Sequence, residues 1–207
     1  MHFRQLEMIP WYGFIVYWLI SAARLKQVKV EEARRGRILH ILIMVAAVDF
    51  MFSGNFSVGP LNQRIIPIDL RILYTGIALT WAGIAFAIWA RHTIGANWSG
   101  RVTVKVDHQL IQSGPYAFVR HPIYSGLLAA NLGAALVIGR WRCLVAMVIF
   151  LAEMTRKASK EEGFMVTEFG ERYQEYRLRT GFLVPRLGGS GGQGPTMGGS
   201  KDQQMSA

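Results

Sequence analysis

The sequence has very little cysteine and little negative charge. Cys143 is the single cysteine among 207 residues, which excludes an intrachain disulfide, a CxxC redox pair and a cysteine-based metal cluster. Asp and Glu number 13 against 23 Lys and Arg, and charged residues together make up only 17% of the chain. His92, His108 and His121 lack the spacing and carboxylate partner of a familiar metal site, so we predict no bound metal.

Patterning typical of a water-soluble core is missing as well. Hydrophobic residues make up 51% of the chain, and they gather in long blocks instead of recurring at helical or strand period. Because a helix needs about 20 apolar residues to cross a bilayer, the blocks predict an all-α, polytopic membrane protein with about five transmembrane helices. The predicted spans are 9–23, 38–56, 70–90, 123–138 and 141–153. Only Gly139 and Arg140 separate the last two spans, which are short, so we expect an antiparallel helical hairpin there.

The formal net charge of +10 does not indicate nucleic-acid binding, because Lys and Arg lie between the apolar blocks. Basic loops beside membrane spans set topology and contact anionic lipid head groups. Segment 24–37 carries six basic residues, whereas 57–69 carries only Arg64. We therefore predict that 24–37, 91–122 and everything after about residue 154 face the cytoplasm. The amino terminus then faces outward, and the first span is retained.

A polar loop before the fourth span is the first candidate for chemistry. Gly114-Pro115 sets a turn, and Pro122 suits the first turn of the next helix, so Arg120 and His121 lie at a helix amino terminus. The helix dipole and Arg120 together favour an anionic group such as a carboxylate or a phosphate. The alternative is that both side chains only anchor the helix end at the membrane interface.

A charged helix at 153–164, which continues the fifth span, is the second candidate. Lys157 and Glu161 are four residues apart and therefore share a helix face. The alternative is a solvated juxtamembrane helix with ordinary ion pairs. Asp49, near the middle of the second predicted span, is costly in lipid. We predict that it faces the bundle, either for structural hydrogen bonding or to line a substrate cavity.

These segments carry an ordered series of motifs. They are Gly95-Ala-Asn97-Trp98-Ser99, His108-Gln-Leu110, Gly114-Pro115-Tyr116, Arg120-His121-Pro122-Ile-Tyr124-Ser-Gly126, Glu161-Glu162 and Phe169-Gly170-x-x-Tyr173-x-x-Tyr176. Their order and spacing over roughly residues 90–186 resemble the isoprenylcysteine carboxyl methyltransferase family, which is related to the phospholipid methyltransferases. The first 90 residues are similar only in being apolar spans.

The resemblance implies a multi-spanning helical methyltransferase that uses S-adenosylmethionine and takes a lipid-like acceptor from the bilayer. The cofactor-binding residues that it implies are His108, Leu110, Gly114, Tyr116, Arg120, His121, Tyr124 and Glu162. The implied catalytic residues are Lys157, Arg156 and Glu161. Where the family pattern has arginine before its glutamate pair, this chain has Lys157 preceded by Arg156. Lysine lacks the planar fork that binds a carboxylate with two hydrogen bonds.

The methyl acceptor is left open by the residues alone. The carboxylate of a prenylcysteine-like molecule is the best match to the resemblance, and it needs no general base. A phospholipid amine or a thiol would need one, supplied by His121, Glu161 or a nearby tyrosine. Integral membrane sterol reductases share a similar Arg-His-Pro-x-Tyr-x-Gly core but use NADPH. A non-catalytic membrane protein on the same scaffold is a further alternative.

The predicted organisation has three parts. Residues 1–90 hold three transmembrane helices, 91–187 form the methyltransferase core with its cofactor loop, hairpin and C-terminal helix, and 188–207 form a flexible glycine-rich tail. The expected partners are membrane lipids and an apolar small-molecule acceptor. The oligomeric state is open, and a monomer is compatible with the sequence.

Overall fold

Helices dominate the structure. The computed structural model describes residues 2–22, 28–31, 34–53, 59–95, 103–105 and 109–186. In this part of the chain the helices are α1 His2–Ala22, α2 Arg34–Phe52, α3 Leu70–Ile94, α4 Pro122–Ile138, α5 Trp141–Phe169 and α6 Glu171–Arg179. Two short strands, β1 Val28–Glu31 and β2 Thr103–Lys105, pair as an antiparallel ribbon. The prediction of an all-α fold is confirmed, with this ribbon as an addition.

The first three helices differ from their predicted bounds, and α3 continues four residues past the predicted end at residue 90. α1 begins at His2 and continues through Pro10, and its polar first turns are supported where Trp11 Nε1 donates to Glu7 Oε1 at 3.2 Å. α2 ends at Phe52, which places Asp49 in the last turn and not at mid-span. Asp49 is exposed and lines a surface groove on α2. The prediction that it faces the bundle was therefore wrong, because the helix turns this residue outward.

Glycines bring α3 and α4 into close contact. A Cβ atom added at Gly83 would lie 2.5 Å from the carbonyl oxygen of Gly126, and one at Gly133 would lie 2.5 Å from that of Gly76. Both pairs fit one antiparallel register. Between them Thr80 is fully buried, and its hydroxyl donates to Gly76 O at 3.0 Å and to Ala130 O at 3.3 Å. Small residues of this kind let membrane helices pack backbone against backbone.

The outer faces of the helices are apolar. Leu19, Leu42 and Val148 are 69%, 61% and 68% exposed, although soluble monomers rarely expose large contiguous apolar patches. This surface fits a lipid environment. In the described part of the chain, Leu70–Ile94 is the helix that is both long and apolar enough to span a membrane by itself. Ile38–Phe52 and Pro122–Ile138 are apolar but shorter, and the count of five spans stays a prediction.

The antiparallel packing of α3, α4 and α5 defines two ends of the bundle. The end of α3, the start of α4 and the second half of α5 share one end, and we refer to it as the site end. The ribbon pairs Val28–Glu31 with Thr103–Lys105, so the connections that follow α1 and α3 also meet. The loops that the sequence predicts to share one membrane face are thereby brought together, while the domain limits at 90 and 187 stay predictions.

The glycine contact generates a prediction for stability. Gly83→Ala inserts a methyl group against backbone atoms that cannot move aside, and overpacking of this kind typically costs about 1–3 kcal/mol. We expect the thermal midpoint of the detergent-purified protein to fall by about 3–10 °C. Gly13→Ala on α1 is the matched control, since an added Cβ there meets nothing within 4 Å. Equal midpoints for the two variants would contradict this account of the packing.

Candidate active site

The turn at Gly114 and the start of α4 position the first group of predicted site residues. Gly114 has φ +58°, in the left-handed region that favours glycine, and it opens the short 3-10 turn Gly114–Ala117. Pro122 then begins α4, with His121 as the residue before the helix. Arg120 and His121 therefore lie at the amino terminus of α4, as predicted. Leu110 is half-buried on the approach to the turn, and His108 lies outside the described residues.

The segment after α6 pairs with the polar loop through its backbone. Arg120 N donates to Gly181 O at 2.8 Å, His121 N donates to Phe182 O at 3.2 Å, and Gly181 N donates to Phe118 O at 3.1 Å. A parallel bridge links Val119 with Gly181. Sequence reasoning missed this segment entirely. Its only signal is Gly181 just past a helix end, which marks a turn but no partner.

Arg120 contacts three separate parts of the site. Its Nε donates to Glu162 Oε1 at 2.5 Å, and its Nη1 donates to the carbonyl oxygens of Thr180 at 2.5 Å and Arg177 at 3.2 Å. The guanidinium carbon lies 5.6 Å from the ring centroid of Phe182. One side chain thus joins α4, α5 and the end of α6, using the several donors of a planar fork.

His121 faces both glutamates of the pair. Its Nδ1 lies 3.6 Å from Glu161 Oε2 and its Nε2 lies 3.4 Å from Glu162 Oε1. Nε2 is nevertheless buried without a hydrogen-bond partner. Tyr124 Oη donates to Glu161 Oε1 at 2.7 Å, and its ring stacks on His121 at 5.7 Å between centroids. The two predicted segments therefore meet in one cluster of charged and aromatic groups.

The charged groups of this cluster shift one another's pKa values. Burial alone would raise the pKa of Glu162, but His121 and Arg120 outweigh it and lower that pKa from 4.5 to about 2. Burial likewise favours a higher pKa for Glu161, yet His121, Lys157 and Tyr124 bring it below its ordinary value. Burial alone would lower the pKa of His121, but the two carboxylates raise it above 6.5. The two carboxylates therefore favour the protonated form of the ring.

The tyrosines near the cluster are held in their neutral form. Burial raises the pKa of Tyr116 and of Tyr173 well above 10, and it raises that of Tyr176 to about 12. Tyr176 Oη donates to Tyr116 O at 2.6 Å, which ties α6 to the turn. Tyr116 packs against Ala90 and Ile123 in the core. Tyr116, which the resemblance assigns to cofactor binding, therefore also packs in the hydrophobic core.

Lys157 and Arg156 point to different partners. Lys157 Nζ lies 5.8 Å from the ring centroid of Tyr124, and its charge contributes to the lowered pKa of Glu161. Arg156 Nη2 pairs with Glu153 Oε2 at 2.6 Å. Glu153 is also 2.9 Å from His40 Nδ1, so Arg156 belongs to a contact between α5 and α2. Of the two cations, Lys157 is the one that the structure brings to the cluster.

A family model matches this part of the chain. Residues 76–167 match the isoprenylcysteine carboxyl methyltransferase family, and they include the start of α4 and the glutamate pair. The matched range thus includes Arg120, His121, Glu161 and Glu162 of the charged cluster.

The alignments with individual relatives cover only part of each relative. The protein-S-isoprenylcysteine O-methyltransferase of Schizosaccharomyces pombe is 31% identical over 82 residues, which are 39% of this chain and 35% of that protein. The human protein of the same name is 30% identical over 118 residues, 56% of this chain and 42% of the relative. The match therefore spans less than half the length of these two curated relatives.

A solved structure shares the fold. The eukaryotic intramembrane Ras methyltransferase, an isoprenylcysteine carboxyl methyltransferase, aligns with a TM-score of 0.51 and 20% sequence identity. The alignment covers 87% of this chain and 67% of that one. At this identity the similarity shows the helical fold.

The contacts of Arg120 lead to a prediction about local backbone opening. Arg120→Lys keeps the positive charge but loses the fork that reaches both Glu162 and the carbonyl of Thr180. We expect backbone amides 118–121 and 181–183 to exchange hydrogen at least about ten-fold faster, as they would if roughly 1.4 kcal/mol of local stability were lost. Hydrogen–deuterium exchange with mass spectrometry measures this. Arg179→Lys, an exposed α6 arginine paired with Glu175, is the control, and equal exchange in both variants would refute the role of Arg120.

The lowered pKa of Glu162 generates a prediction for pH dependence. Because this pKa is about 2 in the folded protein against 4.5 ordinarily, its contribution to stability is complete above about pH 4.5 and is lost as the pH falls toward 2. Glu162→Gln should lower stability near neutral pH and flatten this acid dependence, by at most roughly 3 kcal/mol. Thermal midpoints between pH 3 and 6 test it, with Glu175→Gln as the exposed control. Parallel curves for wild type and Glu162→Gln would disprove the assignment.

Proposed function

We propose that this chain is an integral membrane methyltransferase that uses S-adenosylmethionine to methylate the carboxylate of a prenylcysteine-like acceptor. The observation that carries the proposal is the electrostatic state of the cluster. The two carboxylates raise the pKa of His121, the pKa values of Glu161 and Glu162 are lowered, and burial raises the pKa values of Tyr116, Tyr173 and Tyr176. The lowered pKa values make the two glutamates weak general bases, the neutral tyrosines cannot accept a proton, and the carboxylates favour the non-basic, protonated form of His121.

That state favours an acceptor that is already anionic. A carboxylate attacks without losing a proton, so it needs no base. An amine or a thiol must be deprotonated first, and the cluster offers poor groups for this step. The electrostatics therefore support the prenylcysteine-like carboxylate over the phospholipid amine and the thiol. The family match of residues 76–167 favours methyl transfer over an NADPH-dependent reduction.

The residues present fit the proposed cofactor. S-adenosylmethionine carries a carboxylate, an ammonium group and a sulfonium, and when bound it supplies the methyl group. Arg120 and the unpartnered, buried Nε2 of His121 offer positive donors for the carboxylate. Glu161 and Glu162 offer negative charge for the two cationic groups. We assign Leu110, Gly114, Tyr116, Tyr124 and, outside the described residues, His108 to the same pocket.

The remaining roles concern the acceptor. We assign Lys157 to the acceptor carboxylate as a point charge beside Tyr124 and Glu161. Arg156 then contributes from the α2 side, where it pairs with Glu153. Holding the acceptor in line with the methyl group and excluding water are the main contributions expected of such a site. The basic segment 24–37 supports a site on the cytoplasmic face, with the amino terminus outside.

The activity is tested with the full chain in lipid nanodiscs. We expect tritiated methyl transfer from S-adenosylmethionine to N-acetyl-S-farnesylcysteine, with a product that alkali hydrolyses as a methyl ester. Lys157→Ala should raise the acceptor KM about ten-fold and leave the cofactor Kd within about two-fold, whereas Glu162→Gln should weaken cofactor binding about ten-fold. Arg156→Ala should have a smaller effect on the acceptor KM than Lys157→Ala.

Arg179→Ala, on the exposed face of α6, is the control and should match wild type. An alkali-stable product on phosphatidylethanolamine would reject the carboxylate acceptor. A chain that binds no S-adenosylmethionine in detergent or in nanodiscs would reject the methyltransferase assignment altogether.

A further inference from the structure

A second charged cluster lies at the end of the bundle opposite the candidate active site. It consists of Arg64, Arg140 and Arg142 around Asn62, and we refer to it as the arginine cluster. Arg140 and Arg142 begin α5, and Arg64 lies against the last residues of α4. The length of α4, 17 residues, separates this cluster from Arg120 by about 25 Å. It is therefore independent of the proposed reaction.

The arginine cluster contacts neutral oxygens. Arg64 donates from Nε to Ile66 O at 2.9 Å, from Nη1 to Ile138 O at 3.0 Å and from Nη2 to Val137 O at 3.3 Å. Arg140 Nη1 donates to Asn62 O, and Arg142 Nη1 donates to Asn62 Oδ1 at 2.9 Å. The ion pairs formed within the described residues include none of these three guanidinium groups. Among the described residues, three positive charges thus converge with no carboxylate at ion-pair distance.

Carboxylates at this end serve other roles. Asp69 accepts from Arg71 N and caps the start of α3. Asp49 lines the groove on α2. Neither lies within ion-pair distance of the arginine cluster in the described part of the chain.

Arg142 carries an unused donor. The residue is only 5% exposed, and its Nε has no hydrogen-bond partner. Leaving a buried charged donor unpaired is costly, since the desolvation of the group is not repaid. Arg142 lies in the first turn of α5, a helix of 29 residues whose N-cap residue, Arg140, makes no side-chain capping bond. The helix dipole adds partial positive charge at the same place.

We propose that the arginine cluster binds the phosphate of an anionic phospholipid head group. Guanidinium forks at a helix amino terminus match the oxygens and charge of a phosphate. The apolar outer faces of the helices put lipid beside this end of the bundle. Trp141, between Arg140 and Arg142, is 47% exposed, as expected for an aromatic ring at the membrane interface. A lipid phosphate would supply the countercharge that the described part of the chain does not place beside these arginines.

The proposal also explains an unusual charge distribution. The topology predicted from segment 24–37 places Arg64, Arg140 and Arg142 on the outer face, where the positive-inside rule makes basic residues scarce. A bound anionic lipid would stabilise these arginines on the outer face. Their side chains would hold the α4–α5 hairpin in register with the head-group layer.

Native mass spectrometry of the delipidated full chain in detergent tests the site. The probes are dioleoylphosphatidylglycerol, dioleoylphosphatidylcholine and inorganic phosphate. We expect one tight phosphatidylglycerol per chain, with weaker binding of the other two probes. Arg140→Gln and Arg142→Gln should each weaken that binding about ten-fold, the loss of one charge-assisted interaction. Arg71→Gln is the matched control, an exposed arginine at the same end, and should stay within about two-fold.

Several outcomes would overturn the proposal. Equal weakening by Arg71→Gln and Arg142→Gln would reveal diffuse surface charge and no built site. Inorganic phosphate that binds as tightly as phosphatidylglycerol would assign the site to free phosphate. Unchanged lipid binding by Arg140→Gln would refute it even if Arg142→Gln failed to fold. This experiment measures lipid binding and not methyl transfer. Its outcome is therefore independent of whether the proposed function is correct.

Discussion

The backbone contact between α3 and α4 is the constraint on which the rest of the structure depends. Gly76 and Gly83 face Gly133 and Gly126 so closely that a single methyl group would strike a carbonyl oxygen. In lipid, where apolar contact with a neighbouring helix offers little advantage over contact with acyl chains, this packing and the hydroxyl of Thr80 supply the attraction. The register it fixes also sets where α4 begins, and hence where Arg120 and His121 stand.

The charged cluster is held together by contacts among its own side chains. Arg120, His121, Glu161 and Glu162 neutralise one another in a mostly buried setting, and Tyr124 and Phe182 limit their movement. Such mutual pairing keeps buried charges tolerable, because each has a partner of opposite sign. It also lowers the pKa of both carboxylates, which makes them weak bases, and raises the pKa of His121. The chemistry that suits such a site consists of alignment and charge neutralisation.

Much of the fold and part of the site follow from the sequence. Apolar blocks predict the helices, the Gly139-Arg140 link predicts the hairpin, and the four-residue spacing predicts that Lys157 and Glu161 share a face. Other features depend on information that side-chain patterns do not carry. The pairing of residues 118–121 with 181–183 uses backbone groups that nearly every residue possesses, and the ribbon of β1 and β2 does the same. Whether Arg156 or Lys157 reaches the cluster depends on a helix rotation of about 100°.

The parallel bridge between Val119 and Gly181 has a consequence for biosynthesis. α3, α4 and their glycine contact can form while the chain is still being translated, because their partners are close in sequence. The loop that carries Arg120 lacks its carbonyl acceptors until Arg177, Thr180 and Gly181 have left the ribosome. A nascent chain in the membrane can therefore pack α3 against α4 before the loop that carries Arg120 has the carbonyl oxygens that hold this side chain in place.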